Sequence, residues 1–169
     1  MCVYNGNSYY MSSPVDTRMC LKDYQWDGYY PGYVDILEEF FIPALKHSSQ
    51  YDRITGSFSS SVLELFSEGL PEFIENGGTI RLLPGVVLYE KDIEAIRKGY
   101  TDEVLSERIN WEKIAEGNCQ DVVEALAWLV AEDILQIKIG VVTDDLGRLQ
   151  TQQEAEWHQK IAIFKDKGN

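Results

Sequence analysis

The chain has 169 residues, of which 44% are hydrophobic and 25% are charged. This is an ordinary globular composition, long enough to bury one core, and no apolar run approaches the roughly 18 residues that a membrane span requires. The net charge of −13 argues against a broad basic surface for nucleic acid. The simplest explanation of the excess acidic residues is that they lie on the solvated surface. Any contact with nucleic acid is therefore expected through a local patch, a dimer cleft or an associated domain.

The N-terminus and the cysteines point to a cytoplasmic protein. Residues 1–8 lack the basic and then apolar pattern of a secretion signal. Cys2, Cys20 and Cys119 are odd in number and too far apart for a zinc or redox pair.

Residues 1–33 hold seven of the ten tyrosines with little periodicity, which predicts an irregular lead-in to a folded domain over 34–169. Val34–Leu45 carries apolar residues at helical spacing, with Pro43 ending or kinking the helix. Tyr51–Phe58 is predicted as a strand.

Helices are predicted to alternate with strands over the middle of the chain. Ser61 and Glu64 have the spacing of a capping box, which predicts a helix from there to Phe73. Thr79–Leu83 is then a strand. A short helix follows over Asp92–Lys98, closed by the glycine at position 99.

The last third of the chain continues this alternation. Residues 101–117 are predicted to be helical, and Asp121 and Glu124 form a cap signal for a helix through Val130. Two further strands are predicted: Leu135–Val141, where apolar and polar residues alternate, and Glu154–Phe164, which ends in a short apolar run. The pattern predicts an α/β layered fold with a central mixed or mostly parallel sheet flanked by helices.

His158 and Lys160 would share one face of the last strand, because strand side chains repeat with period 2. An imidazole nucleophile beside a fixed positive charge suits attack on a phosphodiester. From spacing alone, two polar residues on a surface strand are the simpler interpretation. Thr55–Ser57 ends a strand where ligands approach α/β sheets, although a turn or close packing is again simpler.

An ordered set of segments covers most of the chain after Gly32. Its members are Phe41–Leu45, Tyr51–Ser60, Gly69–Leu70, Phe73–Ile74, Gly77–Leu83, Glu90–Gly99 and the pair His158-x-Lys160. In this order the set resembles the phospholipase D-like domain found at the N-terminus of certain bacterial superfamily 2 helicases and restriction-type proteins.

The resemblance has two departures. The family signature places an Asp five residues after the Lys, whereas here that position is Lys165 and the acid is Asp166, a shift that a strand bulge would absorb. The family's later Gly-Ser-x-Asn segment does not follow before Asn169. The domain is therefore expected to be truncated at its C-terminal end.

The resemblance implies a metal-independent phosphodiesterase without a cofactor. His158 would form a phospho-histidine intermediate, Lys160 would neutralise charge and Asp166 would orient the site. A second His from another copy would protonate the leaving oxygen, so a homodimer is expected. The implied role is a nuclease module acting on nucleic acid with a superfamily 2 helicase, in the same or a neighbouring chain, in DNA restriction, repair or phage defence.

Two other roles are alternatives to this one. A non-catalytic docking or DNA-specificity domain of a helicase fits the acidic charge and the shifted Asp166. A lipid phosphodiesterase is the poorest fit, because the sequence has no basic amphipathic or apolar membrane-facing segment.

Overall fold

The computed structural model describes residues 3–5, 8–10, 20–26, 35–101, 111–117, 119–150 and 158–166. It is a mixed α/β structure with a four-stranded sheet, helices and a separate two-stranded hairpin. In chain order the elements are β1 Val3–Asn5, β2 Ser8–Tyr10, a 3₁₀ helix Leu21–Asp23, a π-helix Leu37–Phe41, α1 Ile42–Lys46, β3 Gln50–Phe58, α2 Val62–Leu65, α3 Leu70–Glu75, β4 Thr79–Leu88, α4 Glu90–Thr101, α5 Trp111–Ala115, α6 Cys119–Ala131, β5 Leu135–Ile137 and β6 Ile161–Lys165. Among the described residues, no helix is long and apolar enough to cross a membrane.

The main sheet has the strand order β5-β4-β3-β6. β3, β4 and β5 run parallel, and β6 is antiparallel to β3. The predicted mixed sheet, with strands at these four places, is therefore confirmed. The carboxyl ends of the parallel strands and the start of β6 share one edge of the sheet, because an antiparallel strand begins where its partner ends.

One face of the sheet builds the core. The register places Phe164, Tyr51, Ile80 and Leu135 in one row across the sheet, and Ala162, Arg53, Leu82 and Ile137 in the next. All of these except Arg53 belong to or pack against a single hydrophobic cluster that also contains residues of the helices. The described helices thus cover this face.

The opposite face carries polar and exposed side chains. One of its rows consists of Ile163, Asp52, Arg81 and Gln136. Ile161 and Ile163 of β6 are 41% and 46% exposed. Within the described residues the sheet is therefore covered on one face, which differs from the expectation of flanking helices on both. Hydrophobic periodicity does not distinguish these arrangements, since each helix buries one stripe in either case.

Prolines interrupt elements that the apolar pattern predicts as continuous. The predicted helix from Ser61 to Phe73 is divided into α2 and α3, with Pro71 in the first turn of α3. The capping box is also wrong, since Ser61 has helical backbone angles and makes no side-chain cap bond. Pro43 lies in the first turn of α1, directly after the π-helical turn, as a kink at that residue predicts.

Pro84 explains why β5 is shorter than the predicted Leu135–Val141. The amides of Lys138 and Gly140 still donate to the carbonyls of Leu82 and Pro84, at 3.0 and 2.7 Å. Pro84 has no amide hydrogen with which to return a bond. The ladder therefore ends as a regular strand at Ile137 although the chain stays beside β4.

Gly99 lies inside α4 and does not close it, because the helix continues to Thr101. A Cβ at this position would lie 2.5 Å from the Ala127 carbonyl oxygen of α6. Near the other end of α4, the ammonium of Lys91 lies 3.3 Å from the sulfur of Cys119. The two helices therefore run side by side in the same direction and in close contact. α6 itself begins two residues before the predicted cap Asp121.

Candidate site at the carboxyl edge of the sheet

The His158-x-Lys160 pair lies just before β6. Ile161, the first residue of β6, pairs with Ile54 of β3. His158 and Lys160 directly precede Ile161, so they lie beyond this last pairing, on the side toward the carboxyl end of β3. The structure therefore places the pair at the carboxyl edge of the parallel strands, the edge where α/β sheets bind ligands.

The pair does not belong to a strand, contrary to the sequence prediction. Residues 158–160 are exposed and follow no regular structure, and residues 154–157 lie outside the described part of the chain. The pairing of β6 with β3 ends at Ile54, and the register of β3 with β4 shifts just beyond it, between Thr55 and Ser57. Three steps along β4 oppose two along β3 there, so the extra residue of this bulge lies in β4.

Asp166 lies at the other end of β6. Its Oδ2 accepts a hydrogen bond of 2.7 Å from the amide of Leu21. Lys160 and Asp166 are six residues apart on either side of β6, which is roughly 20 Å at 3.4 Å per residue. The structure therefore brings His158 and Lys160 to one edge and leaves Asp166 at the opposite edge, where it anchors the segment 20–26.

The outer face near Asp166 holds a compact ion-pair cluster. The Asp52 carboxylate accepts from Arg81 Nε at 2.7 Å and from Lys165 Nζ at 2.9 Å. The Arg81 hydrogen bond is the largest of the effects that hold the pKa of Asp52 well below its usual range, with help from Gln50 and Lys165. Lys165, which takes the family's Asp position, is thus engaged in a structural ion pair.

Two buried polar residues connect β3 to α4 at the carboxyl edge. The amide of Ser60 donates to Asp92 Oδ2 at 3.0 Å, and both residues are fully buried. Among the described residues, neither Asp92 Oδ1 nor the Ser60 hydroxyl has a hydrogen-bond partner. The single Ser60–Asp92 bond therefore fixes the chain leaving β3 against the first turn of α4.

A cavity of about 350 Å³ opens between the core face of β3 and the neighbouring helices. Its lining residues are Ile36, Leu37, Phe41, Tyr51, Arg53, Thr55, Ser57, Phe58, Ser59, Val62, Leu63, Leu65, Phe66, Leu70, Ile80, Leu82 and Leu135. Thr55 and Ser57, which end a predicted strand where ligands approach α/β sheets, are on its wall. The cavity itself leaves no sequence motif, because its walls come from segments distant along the chain.

Arg53 is the charged residue on the cavity wall, and sequence reasoning missed it. It is half-buried, and no described residue forms an ion pair with it. It lies beside the Tyr51 hydroxyl, whose pKa is raised by burial and lowered to a smaller extent by Arg53. The sequence did contain a signal for it. Arg53 is a positively charged residue at a core-facing position of β3, and such strand positions are normally apolar.

No group of three or more His, Cys, Asp or Glu side chains within the described ranges is arranged to hold a metal ion. Comparison of the chain with protein-family models, with curated proteins and with solved structures finds no match in any of the three.

Proposed function

We propose that the chain is a phospholipase D-like phosphodiesterase domain whose site is the carboxyl edge of the sheet. The observation that supports this proposal is that antiparallel β6 begins opposite Ile54, so that His158 and Lys160, which precede it, lie toward the edge at which β3 and β4 end. Exposure of both side chains leaves them accessible to a polyanionic substrate. The proposed substrate class is nucleic acid, and the proposed partner is a superfamily 2 helicase.

In this mechanism a nitrogen of His158 attacks phosphorus, and the P–O bond to the leaving group breaks. The leaving oxygen takes a proton from His158 of a second copy, which explains the need for a homodimer. Water then hydrolyses the phospho-histidine bond and regenerates the imidazole. Lys160 stabilises the negative charge that develops on the phosphoryl oxygens.

A second candidate function is a non-catalytic docking domain for a helicase. The observation that favours it is the position of Asp166, which bonds to Leu21 at the edge of the sheet away from His158. In this alternative the carboxyl edge binds a phosphate group or an acidic partner without cleaving a bond.

The two candidates are separated by following His158 in the intact chain. A labelled single-stranded oligonucleotide is incubated with the protein in EDTA, and an acid-labile phosphoryl adduct is sought on the protein. The phosphodiesterase proposal expects slow cleavage and an adduct on His158, both lost in His158→Ala by several powers of ten. His47→Ala is the matched control, because the chain has two histidines and His47 packs against Tyr24 away from this edge.

Binding of the oligonucleotide without cleavage or adduct, weakened by Lys160→Ala, would support the docking domain instead. Cleavage that survives His158→Ala, or that EDTA abolishes, would overturn the phospho-histidine mechanism. Absence of binding, cleavage and adduct in the intact chain would overturn both candidates.

A further inference from the structure

The cavity beside β3 combines an apolar wall with one charged side chain. Leu63, Phe66 and Leu82 are core residues on its wall, and Arg53 is the charged member of the lining set. The cavity volume of about 350 Å³ lies toward the lower end of the 300–1,000 Å³ that is typical for small-molecule sites. Size alone therefore favours a small ligand over a large cofactor.

The position of Arg53 is unusual for the sheet to which it belongs. In the register it lies between Leu82 and Ala162, in a row that faces the core. Bringing a guanidinium toward an apolar region costs free energy unless an anion or hydrogen-bond acceptors compensate. Within the described residues it has the Tyr51 hydroxyl beside it and no carboxylate.

Arg81 provides an internal comparison. It occupies the neighbouring strand but the opposite face, where two of its nitrogens donate to the Asp52 carboxylate. The chain therefore pairs the arginine on the open face and leaves the one on the cavity wall without a described anion. In a protein with a net charge of −13, this arrangement is suited to an anion supplied by a ligand.

The cavity also has a route of access. Ile36 and Leu65 line it and are 39% and 55% exposed. Ser57, which is exposed and lies two residues after Thr55 on the same wall, adds a hydroxyl at the polar end. An apolar molecule would thus pass between exposed aliphatic side chains and leave its polar group near Arg53.

We propose that this cavity is a binding site for a small amphiphile, an apolar chain that carries one carboxylate. The carboxylate pairs with the Arg53 guanidinium, and the chain occupies the space between Leu63, Phe66 and Leu82. The site is distinct from the phosphodiesterase site proposed above, because it uses neither His158 nor Lys160 and requires no bond to break.

The test measures binding of octanoate, octanol and octylammonium to the intact chain by calorimetry near neutral pH. Octanoate is expected to bind more tightly than octylammonium by about tenfold or more, because a paired carboxylate contributes at least that much. Arg53→Met is expected to remove this preference and to leave octanol binding nearly unchanged. Arg97→Met, on the exposed surface of α4, is the matched control and should behave as the unmodified chain.

A second variant tests the cavity independently of the charge. Val62→Trp places a large side chain on the cavity wall and should weaken octanoate and octanol alike, with an unchanged far-ultraviolet circular dichroism spectrum. Equal affinity for octanoate and octylammonium would overturn the proposal, as would full octanoate affinity in Arg53→Met. Failure of the unmodified chain to bind octanoate would overturn it too, whatever the outcome of the His158 experiment.

Discussion

Gly99→Ala distinguishes a tightly packed helix pair from a helix that ends at a glycine. Gly99 is buried inside α4, and a Cβ there would lie 2.5 Å from the Ala127 carbonyl oxygen and 2.7 Å from Val130 Cβ. Both distances are shorter than real Cβ contacts. α4 and α6 must therefore move apart, or one of them must deform, to accept a methyl group.

The expected effect is the difference between two opposing contributions. Replacing Gly by Ala within a helix stabilises it by about 1 kcal/mol. Overpacking a well-filled contact costs about 1–3 kcal/mol, and a clash with a backbone oxygen belongs at the upper end of that range. The net loss is then about 2 kcal/mol, which lowers the melting temperature of a chain of this size by about 4–8 °C.

Urea unfolding of Gly99→Ala, Val130→Ala and the double variant provides the assay. The clash predicts favourable coupling of about 0.5 kcal/mol or more between the two sites, because Val130→Ala removes the Val130 Cγ1 that would lie 2.9 Å from the new Cβ and so relieves part of the overlap. Arg97→Ala, on the exposed side of the same helix, should change stability by less than about 0.5 kcal/mol. A rise in stability for Gly99→Ala, or strict additivity with Val130→Ala, would refute close packing at this position.

Two further predictions concern buried and paired carboxylates. The pKa of Asp52 is lowered in the folded chain by Arg81 and Lys165. The ionised carboxylate therefore stabilises the folded state above the unfolded-state pKa of about 3.9, and this stabilisation is lost as pH falls toward the folded-state pKa. Asp52→Asn should therefore reduce the free energy of unfolding by about 1 kcal/mol at neutral pH, and the difference should shrink below about pH 4 in denaturant titrations; a difference that grows in acid would contradict the ion-pair assignment. Asp92→Ala should cost about 1–3 kcal/mol, because it leaves the buried Ser60 amide without its acceptor. Asp92→Asn keeps an acceptor oxygen and should be milder in the same denaturant titrations, and equal losses would show that this bond is not the cause.

Local sequence signals located the strands of the sheet but not their ends. The segments Tyr51–Phe58 and Thr79–Leu83 are strands because alternating or β-branched segments bury one face well. The extra length of β4, to Leu88, and the early end of β5 depend on which strand lies alongside. Pro84 of β4 has no amide hydrogen to donate to the neighbouring chain, so the regular part of β5 ends beside it.

For the candidate site too, the sequence identifies the residues and the tertiary structure determines where they lie. His158 and Lys160 are identified by their chemistry and spacing, which is information that the sequence contains. Their position at the carboxyl edge follows from the antiparallel pairing of β6 with β3, and the opposite position of Asp166 follows from the same pairing. The resemblance to the phospholipase D-like domain implied one site for all three residues, whereas the extended strand β6 separates Asp166 from Lys160 by its whole length.

Hydrophobic periodicity and residue spacing by themselves determined the mixed α/β class, the approximate places of the sheet strands and the presence of the pair His158-x-Lys160. These properties depend on neighbours within a few residues. The tertiary structure decided which face of the sheet is covered, that Gly99 is a packing residue and that Arg53 faces an apolar cavity. Each of these depends on contacts between segments that are far apart in sequence, and the free energy of such contacts is set by packing and not by local preference.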